Sequence, residues 1–232
     1  MPMTEIIKTR SPVQLTEEQL CLMERVYEKL EEKNRVMNLT SIKSAEEAAE
    51  LHFVDSLYAL TEPRVKGKIL DVGSGGGFPA FPVAIASGCD VTCLDATAKK
   101  LDFIKETAVS LGIDNIDTLC GRAEELSLDA RYREKYDSVL SRGVARLNVL
   151  CEWCMPYVKP GGVFVALKGS AGREEAAEAE NAIKTLGGKL EYIREYSLPS
   201  SGHTHTLVVI SKVSRTPAIY PRHNSQITKK PL

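Results

Sequence analysis

The residues best equipped to hold a ligand are Asp71, Gly73, Gly75 and Gly77, an acidic side chain followed by glycine at every second position in Asp71-Val72-Gly73-Ser74-Gly75-Gly76-Gly77-Phe78. The apolar run Ile69 to Val72 reads as a buried parallel strand, the glycines permit a tight turn with close backbone approach, and Pro79 suits a first helical position. A ligand should therefore lie over this turn. A phosphate loop would need Lys and Ser/Thr after its last glycine, where Phe78, Pro79 and Ala80 stand. A dinucleotide fingerprint would need a third glycine where Phe78 stands, which makes NAD a second choice. The next strand, Asp90 to Asp95, ends in a carboxylate roughly 20 residues beyond the glycines, where ribose hydroxyls are bound in nucleotide-binding α/β folds. Asp95 fits any adenosine cofactor; read alone, it could also be a solvated turn residue.

Other polar sets have plainer alternatives. His52, Asp55 and Ser56 share a helix face, which suits a surface hydrogen bond as well as a site, and Asn38-Leu39-Thr40-Ser41 suits a loop and cap. Cys151-Glu152-Trp153-Cys154 has redox spacing but falls inside an amphipathic helix, and no second Cys pair or well-spaced His completes a metal site. The six cysteines read as reduced core thiols.

The elements that must position these residues follow from periodicity. A capping box at Thr16-Glu17-Glu18-Gln19 opens a helix ending near Asn34 to Asn38, and Ser44-Ala45-Glu46-Glu47 opens another that stops before Pro63. Strands are expected at Ile116 to Cys120, Tyr136 to Ser141 and Gly162 to Leu167. Helices are expected at Pro79 to Ser87, Lys99 to Leu111, Leu147 to Val158 and Arg173 to Leu186. Leu190 to Tyr196 and Thr206 to Ser211 lack an intervening helix and form a closing antiparallel hairpin. The length suits one domain: a helical extension over 1–62, an α/β core over 67–212 and a tail over 213–232.

A formal net charge of −1 gives no global attraction to nucleic acid, so such a partner needs a local patch. No apolar run reaches membrane-spanning length and no signal-peptide pattern is present, which points to the cytoplasm. The one basic segment follows Ser211, with Lys212, Arg215, Arg222, Lys229 and Lys230, no acidic residue, and Tyr220 among three prolines. It reads as a solvated tail or as a cationic arm on an RNA backbone.

Asp71-x-Gly73-x-Gly75-x-Gly77 resembles motif I of the class I S-adenosylmethionine-dependent methyltransferases. Nearly the whole chain resembles the bacterial 16S rRNA guanine-N7 methyltransferase family RsmG, also called GidB or glucose-inhibited division protein B. The marks are Asn38-Leu39-Thr40-Ser41, His52-Phe53-Val54-Asp55-Ser56, the glycine loop with Phe78-Pro79, Ser141-Arg142-Gly143-Val144-Ala145, Ala166-Leu167-Lys168-Gly169 and the tail from Tyr220-Pro221-Arg222 to Lys230-Pro231-Leu232. The resemblance implies a Rossmann-like α/β fold with a mostly parallel seven-stranded sheet. It implies methyl transfer from S-adenosylmethionine to guanine N7 in 16S rRNA of the small ribosomal subunit. Carried over by position, Gly73 and Phe78 line the cofactor, Ala123 and Glu124 hold its adenine side, and Arg142 sits at the edge of cofactor and substrate. Ala96 after Asp95 and Gly202-His203-Thr204-His205 depart from the family pattern.

With that cofactor, guanine N7 offers a lone pair and no proton to remove, so alignment matters more than a base. After the fourth strand an amino-group methylase would show Asp/Asn-Pro-Pro-aromatic and a base-carbon methylase a Cys; Ser141-Arg142-Gly143-Val144 is neither. Arg142 reads either as a structural ion pair or as a planar donor to guanine or phosphate. Lys168, the Lys99-Lys100 pair, Arg222, Lys229 and Lys230 are the candidate phosphate contacts. A monomer is expected. A small-molecule methyltransferase, an NAD oxidoreductase and a non-catalytic RNA-binding protein remain rival readings.

Overall fold

A computed structural model of the chain describes residues 1–42, 44–199, 202 and 204–232. Its strands are β1 (Lys68–Val72), β2 (Asp90–Asp95), β3 (Ile116–Cys120), β4 (Tyr136–Arg142), β5 (Val158–Lys168), β6 (Gly188–Ser197) and β7 (Thr204–Lys212). They form one seven-stranded sheet in the order β3-β2-β1-β4-β5-β7-β6. β1 to β5 run parallel, and β7 is antiparallel to both β5 and β6. The closing hairpin is therefore as expected.

Helices α1 (Met3–Arg10), α2 (Glu17–Met37), α3 (Ala45–Ala48) and α4 (Asp55–Leu57) precede the sheet. Within the sheet region come α5 (Ala80–Ser87), α6 (Ala98–Leu111), α7 (Ala123–Leu126), α8 (Leu147–Cys154), α9 (Gly172–Glu178) and α10 (Glu180–Thr185), and α11 (Asn224–Lys229) closes the chain. The period of two along β1 sends Ile69 to one face and Leu70 and Val72 to the other. Ile69 joins Leu20, Met23, Leu30, Phe53 and Leu57 of the N-terminal helices and Phe81 of α5. Leu70 and Val72 join Leu150, Cys151 and Cys154 of α8. Each fully buried aliphatic side chain of this kind contributes about 1.5–3 kcal/mol, which is how the N-terminal helices are held to the sheet.

Thr16 caps α2 with the reciprocal capping box, and Asn38 ends it in the left-handed region. Ser44 accepts from the Glu47 N–H to open α3. Four features differ from the sequence expectation. Helix α1 was not expected, although Met3, Ile6 and Ile7 show helical spacing and are buried. Between α3 and α4 the chain takes a π-helical course over Ala49–Val54, which lets both sides of the segment pack inward. Pro79 caps α5 instead of starting it. The helix expected over Arg173 to Leu186 breaks at Ala179, with φ −86° and ψ 0°. Of the cysteines, Cys93, Cys151 and Cys154 are buried but Cys21 and Cys120 are exposed, so the expectation of uniformly core thiols is corrected. Burial pushes the Cys151 and Cys154 thiols up, away from redox reactivity.

Candidate functional site

Strand order reverses at β1, whose neighbours are β2 and β4, and ligands of open α/β sheets bind beyond the carboxyl ends of strands at such a point. The glycine turn follows β1 there. Gly73 and Ser74 donate to the Leu94 carbonyl at 2.8 and 3.1 Å, tying the turn to the end of β2. A Cβ at Gly73 would meet Val144 at 2.5 Å, and one at Gly77 would meet Phe81 at 2.4 Å. These two glycines serve packing. Gly75, with φ +54°, is different: the nearest atom to a Cβ there is the Gly73 oxygen at 3.9 Å, so the position opens on the cleft.

Two adjoining cavities share Gly73, Asp95 and Val144. The first, of about 200 Å³, is walled by Asp95, Ala96, Gly121, Arg122, Ala123, Glu124, Trp153 and Asn224. The second, of about 300 Å³, is walled by Thr40, His52, Gly75, Phe78, Lys100 and Arg142. Asp95 spans both: its Oδ2 accepts from the Gly75 N–H at 3.1 Å and its Oδ1 from the Thr97 N–H at 2.8 Å. Each carboxylate oxygen retains a lone pair for a hydroxyl. In the first cavity Glu124 Oε1, Trp153 Nε1 and Asn224 Oδ1 are buried and find no hydrogen-bond partner among the described residues. Beneath the turn, Asp71 is wholly buried and accepts from the Ala80 N–H at 3.2 Å, fixing the start of α5; burial pushes its carboxyl up to about 7.

Arg142 stands at the second cavity with its side chain 16% exposed. It donates through Nη1 to the Leu51 carbonyl and, at 3.0 Å, to Asp55 Oδ2, and through Nη2 to His52 Nδ1 at 3.2 Å. Three of the five guanidinium hydrogens are thereby engaged, leaving Nε–H and one Nη2 hydrogen. Arg142 is thus ion-paired with Asp55, as one of its two sequence readings had it, and it also lines the cleft. His52 stacks on Phe78 with ring centroids 4.5 Å apart, and its Nε2 lies 2.9 Å from Thr40 Oγ1. Burial, then the Arg142 charge, lowers its pKa to about 3, so the ring is neutral, accepts at Nδ1 and donates at Nε2. Asp55 also accepts from Tyr196 Oη at 2.7 Å and faces His205 Nδ1 at 3.1 Å. Burial raises the Asp55 pKa, but the His205 hydrogen bond and the Arg142 charge outweigh it and hold the carboxyl below its usual range.

The plain reading of His52, Asp55 and Ser56 as surface hydrogen-bonders is therefore overturned: all three are buried. After the π-helical course, invisible to a 3.6-residue periodicity, His52 and Asp55 meet Arg142 of β4, and Ser56 Oγ donates to the His52 carbonyl. Tyr196 was missed because the hairpin that carries it is remote in sequence, and His205, singled out in sequence only as part of a stretch that departs from the family pattern, faces Asp55. His203 of the same departing stretch lies outside the described residues.

Several expected phosphate contacts are engaged elsewhere. Lys168 Nζ lies 2.7 Å from both Glu175 Oε2 and the Ala145 carbonyl, with a side chain 8% exposed, so it is a structural ion pair. Arg222 forks onto the fully buried Glu152, with Nη2 to Oε2 at 2.6 Å and Nε to Oε1 at 2.9 Å, and its Nη1 donates to the Lys230 carbonyl. Lys212 is buried against Met155 and Thr216. The tail is thus a docked segment, pinned by Arg222 and by the fully buried Ile227, and it delivers Asn224 to the first cavity. Lys99, Lys229 and Lys230 are exposed, and Lys100 lies 3.9 Å from Asp95. Among the described residues no cluster of His, Cys, Asp or Glu could hold a metal, and no helix is long and apolar enough to cross a membrane.

The fold is shared with the O-methyltransferase from Bacillus cereus solved in complex with SAH, which has a TM-score of 0.59 and 16% identity and covers 82% of this chain and 91% of that one. In sequence, the chain is 45% identical over 206 residues to the ribosomal RNA small subunit methyltransferase G of Clostridium novyi (strain NT), covering 88% of this chain and 85% of the relative. It is 42% identical to the protein of that name from Alkaliphilus metalliredigens (strain QYMF), over 86% of this chain and 84% of the relative. The profile of the GidB family, described as rRNA small subunit methyltransferase G, matches residues 19–204. With the glycine turn and Asp95 lying within that match, the chain belongs to the GidB family of small-subunit ribosomal RNA methyltransferases.

Proposed function

We propose that the two adjoining cavities bring S-adenosylmethionine and a guanine of 16S rRNA together for methylation at guanine N7, in the cytoplasm and by a monomer. The observation that carries this reading is the shared wall of Gly73, Asp95 and Val144 between a nucleobase-sized cavity and a more polar one. S-adenosylmethionine supplies a methyl group already activated on sulfonium. In the first cavity Asp95 holds the ribose hydroxyls and Ala123 and Glu124 border the base, while the open Gly75, bonded to Asp95 and facing the second cavity, leaves room for the rest of the cofactor.

The second cavity needs no general base, because N7 carries a free lone pair. Its residues suit that chemistry. His52 is neutral and both its nitrogens are committed, so it acts by holding Phe78 and Arg142 in place. The free Nε–H and Nη2 hydrogen of Arg142 suit guanine O6 or an adjoining phosphate, which would orient the ring and leave N7 unencumbered. Lys99, Lys100, Lys229 and Lys230 provide the cationic contacts to the RNA backbone that a near-neutral protein otherwise lacks. Titration calorimetry with S-adenosylhomocysteine and with NAD, followed by label transfer from methyl-labelled cofactor to purified small subunits, tests the reading. Binding of the first ligand alone, with label entering 16S rRNA, is expected; binding of NAD, or label entering small molecules and not RNA, would refute it.

A further inference from the structure

Asp55 gathers more donors than its hold on Arg142 requires. Its Oδ2 takes Arg142 Nη1 at 3.0 Å, while its Oδ1 takes Tyr196 Oη at 2.7 Å and lies 3.1 Å from His205 Nδ1. Asp55 comes from α4 and its partners from β4, β6 and β7, so one carboxylate ties the N-terminal helices to the sheet beside the residue that lines the second cavity. Because an ionised Asp55 only accepts, His205 Nδ1 bears a hydrogen whether the ring is neutral or charged, and Nε2 is the nitrogen that gains or loses a proton. The His205 side chain is 17% exposed, so the ring exchanges protons with solvent.

The groups around His205 leave it as the variable charge of this cluster. Asp55 is held below the usual carboxylate range, and burial, then the Asp55 charge, pushes the Tyr196 phenol up and keeps it neutral. The Tyr196 ring stacks on Tyr58 with centroids 3.7 Å apart and lies 5.6 Å from the His205 ring. His52, bonded to Arg142, is neutral, and Lys168 of β5 is paired with Glu175. On β6, Arg194 is exposed and lies over the Tyr192 ring, and Glu195 pairs with Arg173 at 2.8 Å. An imidazole is the side chain whose charge changes between about pH 5 and 8. With His205 neutral, Asp55 offsets the charge of Arg142. With His205 protonated, one carboxylate serves two cations: its hold on Arg142 weakens, and the cluster carries a net positive charge.

We propose that His205 is a positioning residue for methyl transfer: acting through Asp55, its protonation loosens Arg142 toward the RNA and strengthens substrate binding. This rests on the reading that Arg142 meets the RNA. The test is the KM of the full chain for purified small subunits from about pH 8 to about pH 6 at constant ionic strength. In the unmodified protein KM should fall about 2- to 5-fold over that range, the size of one added and partly exposed charge interaction. His205→Gln keeps a donor for Asp55 without the charge and should hold KM at its high-pH value; His205→Arg should hold it at the low-pH value. In the unmodified chain the Arg142 Nε–H resonance should move in step with the His205 ring signals as pH is lowered, a readout that needs no variant to fold. A KM that falls equally in His205→Gln, or an Arg142 resonance indifferent to the His205 titration, would overturn the proposal. Absence of methyl transfer to 16S rRNA by the unmodified protein would instead overturn the reading beneath it, while the resonance still reports whether His205 acts on Arg142.

Discussion

Replacing Asp55 tests how the site holds Arg142. The carboxylate accepts from Arg142 at 3.0 Å and Tyr196 at 2.7 Å and faces His205 at 3.1 Å, and the residue is only 5% exposed. Asp55→Ala strands a guanidinium that is 16% exposed, together with a buried phenol. Breaking one side of a buried pair costs about 3–5 kcal/mol, mostly because the remaining charge is left uncompensated. Asp55→Asn keeps an acceptor for Tyr196 and should lose about 1–3 kcal/mol. The pH dependence has a definite sign. The folded carboxyl titrates below its ordinary 3.8, so its contribution is fully present above about pH 4 and is lost as pH falls through the folded value. Urea unfolding followed by the single tryptophan, Trp153, at pH 7 and at stepwise lower pH measures both quantities. Asp55 lines neither cavity, so S-adenosylhomocysteine affinity should hold while methyl transfer falls at least 10-fold. A stability loss under about 1 kcal/mol for Asp55→Ala at pH 7, or full methyl transfer in Asp55→Asn, would refute the argument that this carboxylate positions Arg142.

Gly75→Val should abolish detectable S-adenosylhomocysteine binding in a folded protein, because its side chain would enter the open cleft; wild-type affinity by calorimetry would remove the turn from the site. Neutral His52, with a folded pKa of about 3 against 6.5, contributes stability that is complete above pH 6.5 and lost at about 1.4 kcal/mol per unit as pH falls toward 3; His52→Gln should flatten that limb of the stability–pH curve. Asp71 slopes the other way: with a folded pKa near 7 it is ionised more easily when unfolded, so stability falls from about pH 4 to 7. Asp71→Asn should then gain relative stability over that interval, on the order of 4 kcal/mol in total by urea unfolding. Lys229→Ala with Lys230→Ala should weaken RNA binding and make its salt dependence shallower by about one unit of slope per lost contact, whereas Arg222→Ala should lower stability by about 3–5 kcal/mol through the abandoned Glu152, readable as a lower urea midpoint.

The parts of this molecule that were legible in sequence are those where local chemistry and tertiary role agree. Ile69 to Val72 followed by glycines could hardly be anything but a strand and turn, and Asp95 lies at the end of the next strand, hydrogen-bonded to the Gly75 N–H. The Thr16 box caps α2 as read, and the hairpin without a helix pairs antiparallel. What was not legible depends on contacts between distant segments. The partner of Arg142 is Asp55, 87 positions away, and reaches it through a π-helical turn that helical periodicity does not encode. The tail misled for a similar reason: a run of Arg and Lys without acids looks solvated, but the acid that binds Arg222 sits on α8, 70 positions earlier. Lys168 likewise meets Glu175 on α9. Charge counting along the chain cannot reveal such pairings.

The central claim, that this chain methylates N7 of a guanine in 16S rRNA, is tested most directly by mass mapping of 16S rRNA from cells with and without the protein. Loss of a single N7-methylguanosine, restored by the unmodified chain and not by Gly75→Val, is the result predicted. An unchanged set of 16S modifications, or a lost methyl group on another atom or another RNA, would contradict it.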